Sequence, residues 1–175
     1  MKGKLLLLFA CLVAVTVVAS AQSSAKSKWS DLEGLLGTWA GINSGGAPGK
    51  ADTGSCSFAL DLQDAVIVRK NHASYPGANG RPASVHDDLM VIFHRGDAVR
   101  ATYYDSEGHE ITYAVTCKPT DKTWTFLSDL AVNSPRYRLT YTGISSAELK
   151  LKFEVAPPDK PDAFRTYIEA TLKKQ

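Results

Sequence analysis

The feature that most constrains the fold is an alternation of apolar and polar residues with a period of two. Its clearest example is the stretch ELKLKFEV from Glu148 to Val155, where four apolar side chains alternate with four charged ones. Successive side chains of a strand point to opposite faces, so this pattern is typical of a β-strand with one buried face. Similar segments recur from Gly37 onward, and the sequence therefore predicts an all-β protein.

Turn residues divide this part of the chain into short segments of that kind. We predict ten antiparallel strands, at 37–43, 56–62, 65–75, 87–95, 98–104, 110–117, 123–129, 135–142, 148–156 and 164–173. Short and longer connections alternate along the chain, which in an up-and-down meander makes one end tightly closed and the other rich in loops. Closure removes the exposed strand edges, so we predict a ten-stranded antiparallel up-and-down closed barrel, wide enough for a ligand cavity.

A short segment before the first strand is expected to close one end of this barrel. The sequence Ser30-Asp31-Leu32-Glu33 has the capping-box pattern of a helix start, and an apolar face follows it. This predicts a short N-terminal plug helix. We expect Trp39 to point inward over the plug as the barrel floor, and Gly37 and Gly41 to let the backbone bend and neighbouring strands approach closely.

The N-terminus has the pattern of a secretory signal peptide. Two lysines precede an uncharged run from Leu5 to Val18, and Ala19-Ser20-Ala21 resembles a cleavage site. We expect residues 1–21 to be removed, 22–29 to form a flexible mature N-terminus and 30–175 to form the barrel domain of a periplasmic or secreted protein. The run is too short for a transmembrane anchor, so no stable membrane anchor is expected.

Charge and cysteine content restrict the partners further. Without residues 1–21 the chain keeps 18 basic and 18 acidic residues, which excludes the basic surface that nucleic acid requires. The two cysteines that remain, Cys56 and Cys117, fall at opposite ends of the predicted barrel. Since a disulfide needs Cα atoms about 4.4–6.8 Å apart, we predict two unpaired cysteines. We expect a monomer.

The segment LLGTWAG at 35–41, a short helix followed by Gly-x-Trp opening the first strand, resembles the start of calycin-like barrels. These comprise the lipocalins, the fatty-acid-binding proteins and the nitrobindin-like haem proteins, and the predicted strand count is most similar to the last group. The resemblance implies a barrel that holds one apolar or amphipathic small molecule. Segments such as HDDLMVIF resemble uncharacterised exported bacterial proteins, which implies no activity.

The chain departs from two of these families in ways that restrict the ligand. The connection 44–55 is too short and too rich in glycine for the two-helix lid of fatty-acid-binding proteins. Nitrobindin-like proteins bind haem through a histidine late in the chain, whereas no histidine follows His109 here. Arg165-Thr166-Tyr167 resembles the carboxylate-holding pair of fatty-acid-binding proteins, but the alternation in the last strand predicts that Arg165 and Tyr167 lie outside. We therefore expect no cofactor, with haem as a minor alternative.

Candidate ligand-binding residues are polar or aromatic side chains on strands and at the loop-rich end. Tyrosine suits an amphipathic ligand because it combines an apolar ring with a hydroxyl group, although cross-strand packing is an equal alternative for each tyrosine. Arg136 is placed to meet an anionic head group, and His72 is a candidate base or haem ligand or a hydrogen-bonded strand residue. The complete set is His72, Tyr75, His86, Tyr103, Tyr113, Arg136, Tyr137 and Tyr141.

Three functions remain open from the sequence. The first is an exported lipocalin-like protein that binds a small hydrophobic or amphipathic molecule. The alternatives are a small-barrel enzyme that uses an inward histidine or carboxylate, and an interaction module with a packed interior. His86-Asp87-Asp88 and Asp105-x-Glu107-x-His109 resemble metal ligands, but such clusters in turns are usually solvated, and we expect no metal site.

Overall fold

The computed structural model describes residues 28–41, 53–77 and 82–175, and these form one closed antiparallel barrel. A 3-10 helix, Ser30–Leu35, precedes the strands and a second one, Pro119–Asp121, links two of them. The strands are β1 Gly37–Gly41, β2 Thr53–Asp61, β3 Val66–Tyr75, β4 Ser84–Arg95, β5 Ala98–Asp105, β6 Glu110–Lys118, β7 Thr123–Ser128, β8 Arg136–Gly143, β9 Glu148–Ala156 and β10 Arg165–Lys174.

Each strand pairs with its neighbours in sequence, and β1 closes the barrel by pairing with β10. At this seam Trp39 lies opposite Lys174 and Gly41 opposite Leu172. The predicted all-β, up-and-down closed barrel is thereby confirmed, and the predicted strands agree with the observed ones to within a few residues. The largest shifts are in β2 and β4, which begin three residues before the predicted positions, so that His86 belongs to a strand rather than to a loop.

Part of what the sequence predicts lies outside the described residues. This applies to the signal peptide at 1–21, to residues 22–27 and to most of the connection after β1. Trp29, the last residue of the expected flexible segment, is described and is buried. Its indole N–H donates a hydrogen bond to the Asp64 carbonyl, 2.9 Å away in the turn between β2 and β3. The barrel domain thus includes Trp29.

The plug is the 3-10 helix Ser30–Leu35, whose Leu32 and Leu35 are fully buried. Besides Trp29, two tryptophans of the barrel fix it by donating their indole N–H groups to its carbonyl groups. Trp39 bonds to the Leu35 oxygen at 2.8 Å, and Trp124 bonds to the Asp31 oxygen at 2.6 Å. A tryptophan buried with its N–H satisfied contributes apolar area without the cost of an unpaired donor. Trp39 is thus fully buried and hydrogen-bonded to the plug.

The predicted capping box is wrong. Ser30 is the first residue of the helix rather than its cap, and the cap residue Trp29 makes no side-chain capping hydrogen bond. Packing of the tryptophan and leucine side chains, rather than a side-chain cap, holds this six-residue 3-10 helix in place.

Two glycines lie in closely packed positions, one in the plug and one at the end of β1. A Cβ atom on Gly34 would lie 2.6 Å from the indole ring of Trp124, closer than any carbon contact allows. A Cβ atom on Gly41 would lie 3.3 Å from the carbonyl oxygen of Gly54 on β2. Gly41 therefore permits the close approach of β1 and β2 that the sequence predicted.

The two cysteines are unpaired, as predicted. Cys56 is buried and Cys117 is half-buried. Burial raises the pKa of both thiols, that of Cys117 to about 11. Both side chains therefore remain neutral thiols at physiological pH.

Candidate ligand-binding cup

The inward-facing side chains become more exposed from the plug toward the loop-rich end. On β4, Ile92 and Met90 are fully buried, Asp88 is nearly so and His86 is half-exposed. The same gradient runs along β5, from fully buried Ala101 to half-exposed Tyr103. The inward side chains are therefore buried in the lower part of the bore and partly accessible at the loop-rich end, and this accessible part is here called the cup.

Aromatic rings fill the lower bore. Tyr141 packs edge-to-face against Phe58, with ring centroids 5.4 Å apart, and against Phe126 at 6.2 Å. Tyr113 contacts Phe126 in the same way and Tyr103 on its other side, at 6.5 and 6.4 Å. This series of rings joins the floor to the base of the cup.

The base of the cup contains a buried charged pair. Arg69 on β3 forms an ion pair with Asp88 on β4, and both side chains are about 95% buried. The Arg69 Nε also donates a 2.8 Å hydrogen bond to the Tyr141 hydroxyl. Burial alone would lower the pKa of Arg69, but Tyr141 and Asp88 more than offset it, so the net shift is upward and the guanidinium stays charged. A buried pair of this kind is stable only while both partners are present.

Above this pair, His86 contacts two acidic side chains and a tyrosine. Its Nε2 lies 3.4 Å from Asp88 Oδ2 and 3.2 Å from the Tyr103 hydroxyl, while its Nδ1 lies 2.8 Å from Glu107 Oε2. The Tyr103 hydroxyl donates to Asp105 Oδ2 at 3.2 Å. Burial, together with Asp88 and Asp105, raises the pKa of Tyr103, so this hydroxyl stays protonated and available as a donor.

Asp105 ends β5 and organises the turn that carries Glu107. Its Oδ1 accepts hydrogen bonds from the backbone N–H groups of Glu107 and His109, at 3.0 and 2.9 Å. Its Oδ2 lies 2.8 Å from His109 Nδ1. Partial burial raises the pKa of Asp105, but these bonds from His109 outweigh it and the net shift is downward. Asp105 also lies directly opposite Asp88 in the pairing of β4 with β5. The side of the cup made by β3, β4 and β5, here called the polar wall, is therefore acidic.

The opposite side of the cup, made by β8, β9 and β10, is aromatic and is called the aromatic wall. Tyr137 and Phe153 stack in parallel, with ring centroids 5.9 Å apart and an interplanar angle of 6°. The sequence predicts Arg165 and Tyr167 on the outside, but a β-bulge between Thr166 and Ile168 interrupts the alternation, and Arg165 lies opposite Val155, on the face of Tyr137. Tyr167 is exposed. Its ring meets the edge of Phe153 at 6.1 Å, at the rim of the cup rather than on the outer surface.

The candidate residues from the sequence fall into three groups. Tyr75, His86, Tyr103 and Tyr137 face the cup and are half-exposed. Tyr113 and Tyr141 also point inward but are buried in the filled lower bore, where they contact core rings and leave no surface for a ligand.

The third group, Arg136 and His72, does not face the cup. Arg136 lies at the loop-rich end, where its guanidinium binds Asp162 at 2.7 Å and the Ser128 carbonyl at 3.4 Å, so it is already occupied by acceptors of the protein. His72 lies on the outer wall, 52% exposed, with its Nδ1 2.7 Å from Asp87 Oδ1.

His72 instead lines a groove of about 660 Å³ on the outer wall of β1 to β5. Asp87, Lys70 and Tyr104 line the same groove. A further depression of about 540 Å³ lies at the loop-rich end, beside the connection from β9 to β10. Both are open to solvent and neither is enclosed by the barrel.

Sequence reasoning missed Arg69 and Asp88 as residues of the cup, and it did not single out Phe153 although the alternation in β9 placed it on the inner face. In β3 and β4 both faces carry apolar residues: Ile67 is followed by Val68, and Leu89 by Met90. An alternation without a clear polar face does not show which residues point inward, so the buried charges could not be assigned. The pairing register settles which way Arg69 points, because it places Arg69 opposite Met90, which is fully buried inside the barrel.

Comparison of the chain with protein-family models and with curated proteins finds no match. Within the described residues, no helix is long and apolar enough to cross a membrane.

Proposed function

We propose that the protein binds a small amphipathic molecule in the cup at the loop-rich end, outside the cytoplasm, as a carrier or scavenger without catalytic activity. The observation that carries the proposal is that the walls of the cup differ in chemistry while their side chains remain accessible. An apolar group would pack on Tyr137, Phe153 and Tyr167, and a polar group would face His86, Tyr103 and Glu107. Small-molecule sites commonly combine apolar walls with a few oriented polar groups.

The charge of the polar wall indicates the head group. Three carboxylates, those of Asp88, Asp105 and Glu107, line this wall, and the ion pair with Arg69 neutralises the first of them. The wall therefore favours a cationic or hydrogen-bond-donating head group and disfavours an anionic one. This differs from the anionic head group that Arg136 suggested in the sequence, because that side chain is bound to Asp162.

A matched pair of probes tests the proposal. Dodecylammonium and dodecanoate share an alkyl chain and differ in head-group charge, so titration of each into the purified protein with EDTA present isolates the contribution of the acidic wall. We expect saturable binding of dodecylammonium at one site, at least about tenfold tighter than that of dodecanoate, since about 1.4 kcal/mol of charge preference gives this ratio. Native mass spectrometry of protein purified from its own host would identify the natural ligand.

Adjacent tyrosines on opposite faces of β5 supply the control. Tyr103→Ala removes a ring from the cup and Tyr104→Ala removes one from the outer groove, at the same height of the barrel. We expect Phe153→Ala and Tyr103→Ala to weaken binding severalfold and Tyr104→Ala to leave it unchanged. Loss of binding in Tyr104→Ala alone, or equal affinity for both probes, would contradict the proposal.

A further inference from the structure

Three potential metal ligands converge at the rim of the polar wall. A ring nitrogen of His86 and carboxylate oxygens of Asp105 and Glu107 all lie within 4.8 Å of one another. They come from β4, from the end of β5 and from the turn after β5. The Ser106 N–H bonds to the Asp87 carbonyl at 2.9 Å, which joins that turn to β4. Paired strands therefore hold the backbones of the three residues together.

The charge at this rim is uncompensated by basic side chains. Asp88 is neutralised by Arg69, whereas Asp105 and Glu107 pair with histidines. Within residues 28–41, 53–77 and 82–175, no lysine or arginine forms an ion pair with either of these two acids. With neutral imidazoles the rim therefore holds about two net negative charges, which a divalent ion would balance.

The contacts of His86 show which nitrogen would bind the ion. Its Nε2 faces the Asp88 carboxylate and the Tyr103 hydroxyl, which itself donates to Asp105. Its Nδ1 faces both oxygens of Glu107 at 2.8 and 3.1 Å, the shortest contacts that the ring makes. Nδ1 is therefore the ring nitrogen nearest to a second potential ligand. Either a proton on Nδ1 or a metal ion between Nδ1 and Glu107 would satisfy these contacts.

We propose that Nδ1 of His86 and the carboxylates of Asp105 and Glu107 bind a divalent transition-metal ion, with Zn²⁺ as the best fit to these ligands. One imidazole and two carboxylates suit a borderline ion of this kind better than calcium or magnesium. Asp88 Oδ2 lies 3.4 Å from the distal nitrogen of His86, on the side from which second-shell carboxylates orient metal-binding imidazoles. Donors around tetrahedral Zn²⁺ lie about 3.4 Å apart. Glu107, whose side chain is 47% exposed, has the freedom to close the remaining gap.

Titration of the purified, chelator-treated protein with Zn²⁺ and with Co²⁺ tests this inference without any organic ligand. We expect one saturable site per chain by calorimetry, and visible absorption bands of Co²⁺ typical of low coordination number. His86→Ala and Glu107→Gln should each weaken Zn²⁺ binding by at least about tenfold. Tyr103→Phe should weaken it by a comparable factor because it releases the second shell.

The chain contains a matched control on the outer wall. His72 and Asp87 form an exposed histidine–carboxylate pair of similar length, 2.7 Å, outside the three-ligand group. His72→Ala should leave Zn²⁺ affinity unchanged. Absence of saturable binding would overturn the proposal and assign the His86–Glu107 contact to a shared proton. Equal weakening by His72→Ala and His86→Ala would overturn it as well. Neither result bears on dodecylammonium binding, which is measured with EDTA present.

Discussion

The two ends of the barrel are built from the same strands but are stabilised in different ways. At the closed end, Trp29, Trp39 and Trp124 bury their rings and satisfy their N–H groups on backbone carbonyls. At the loop-rich end, inward side chains are half-exposed and the contacts of the polar wall are ion pairs and hydrogen bonds. The closed end thus contributes tightly packed side chains, while the loop-rich end leaves polar and aromatic side chains accessible.

With the proposed function, this difference separates folding from recognition within one fold. Side chains packed to the density of a protein interior are costly to change. Half-exposed side chains at the rim lose little when they are replaced, so they are free to serve a ligand. The buried pair of Arg69 and Asp88 lies at the boundary and belongs to both regions.

The sharpest test of the contrast removes one phenylalanine ring from the lower bore and one from the cup. Phe126 is fully buried in the lower bore and Phe153 is half-exposed in the aromatic wall. Phe126→Ala should lower the free energy of unfolding by about 4 kcal/mol because it leaves a cavity in the filled bore. Phe153→Ala should lower it by less than half as much. Urea denaturation of both variants measures the difference, and equal losses would show that the cup is packed as tightly as the floor.

The next test removes one member of the buried Arg69–Asp88 pair, which lies between the two regions. Arg69→Met leaves Asp88 buried without its cation and should lower the free energy of unfolding by about 3 kcal/mol. The double variant Arg69→Met/Asp88→Leu, with no charge left to bury, should recover most of that loss. A double variant no more stable than the single one would mean that packing around Arg69, rather than charge, is what matters.

The tightness of the closed end is tested by adding one methyl group to it. Gly34→Ala would place a Cβ atom 2.6 Å from the Trp124 ring and should destabilise the protein by about 2 kcal/mol. Gly54→Ala is the control, since its Cβ atom would have its nearest neighbour, the His72 carbonyl oxygen, at 3.8 Å. Thermal unfolding monitored by tryptophan fluorescence reports on both variants. A Gly34→Ala protein as stable as wild type would show that the plug is loosely seated.

The smallest expected effect concerns pH. Glu154 is buried on the outer side of β9, where hydrogen bonds from Arg138 and Lys152 overcome burial and lower its pKa to about 2. Its ionised form is stabilised in the folded state, so this contribution is complete above the ordinary glutamate pKa of about 4.5. It is lost as pH falls from there toward 2. The full shift corresponds to about 3.4 kcal/mol, and solvent screening around Arg138 and Lys152, which are 35% and 39% exposed, reduces the expected contribution to about 2 kcal/mol.

Urea unfolding of wild type and Glu154→Gln between pH 7 and pH 2 measures this contribution. The stability advantage of wild type should be constant at neutral pH and should shrink below about pH 4.5. Arg138 also packs over the Phe164 ring, with its guanidinium carbon 4.1 Å from the ring centroid. This contact does not involve residue 154 and should be the same in both proteins. An advantage independent of pH would indicate that shape rather than charge at residue 154 is important.

The strands, their order and the location of the plug were predictable because they depend on local patterns. Alternation like that of Glu148 to Val155, together with the turn residues, limits where strands begin and end. The position of Trp39 between two glycines drew attention to this end of the barrel, where its ring is buried and bonded to Leu35. The capping box failed because packing of Trp29 and Leu32, rather than a side-chain cap, holds the helix.

The chemistry of the cup depends on pairings between distant residues, which local patterns do not contain. Arg69 and Tyr141 are 72 residues apart and meet only because the barrel closes. The bulge near Tyr167 and the occupation of Arg136 by Asp162 likewise arise from strand pairing and loop packing. The sequence by itself determined a closed barrel with one sealed end, because hydrophobic periodicity and turns act locally. Only the tertiary structure decided how far the bore is filled and which charges face each other within it, because burial and charge pairing depend on register across strands.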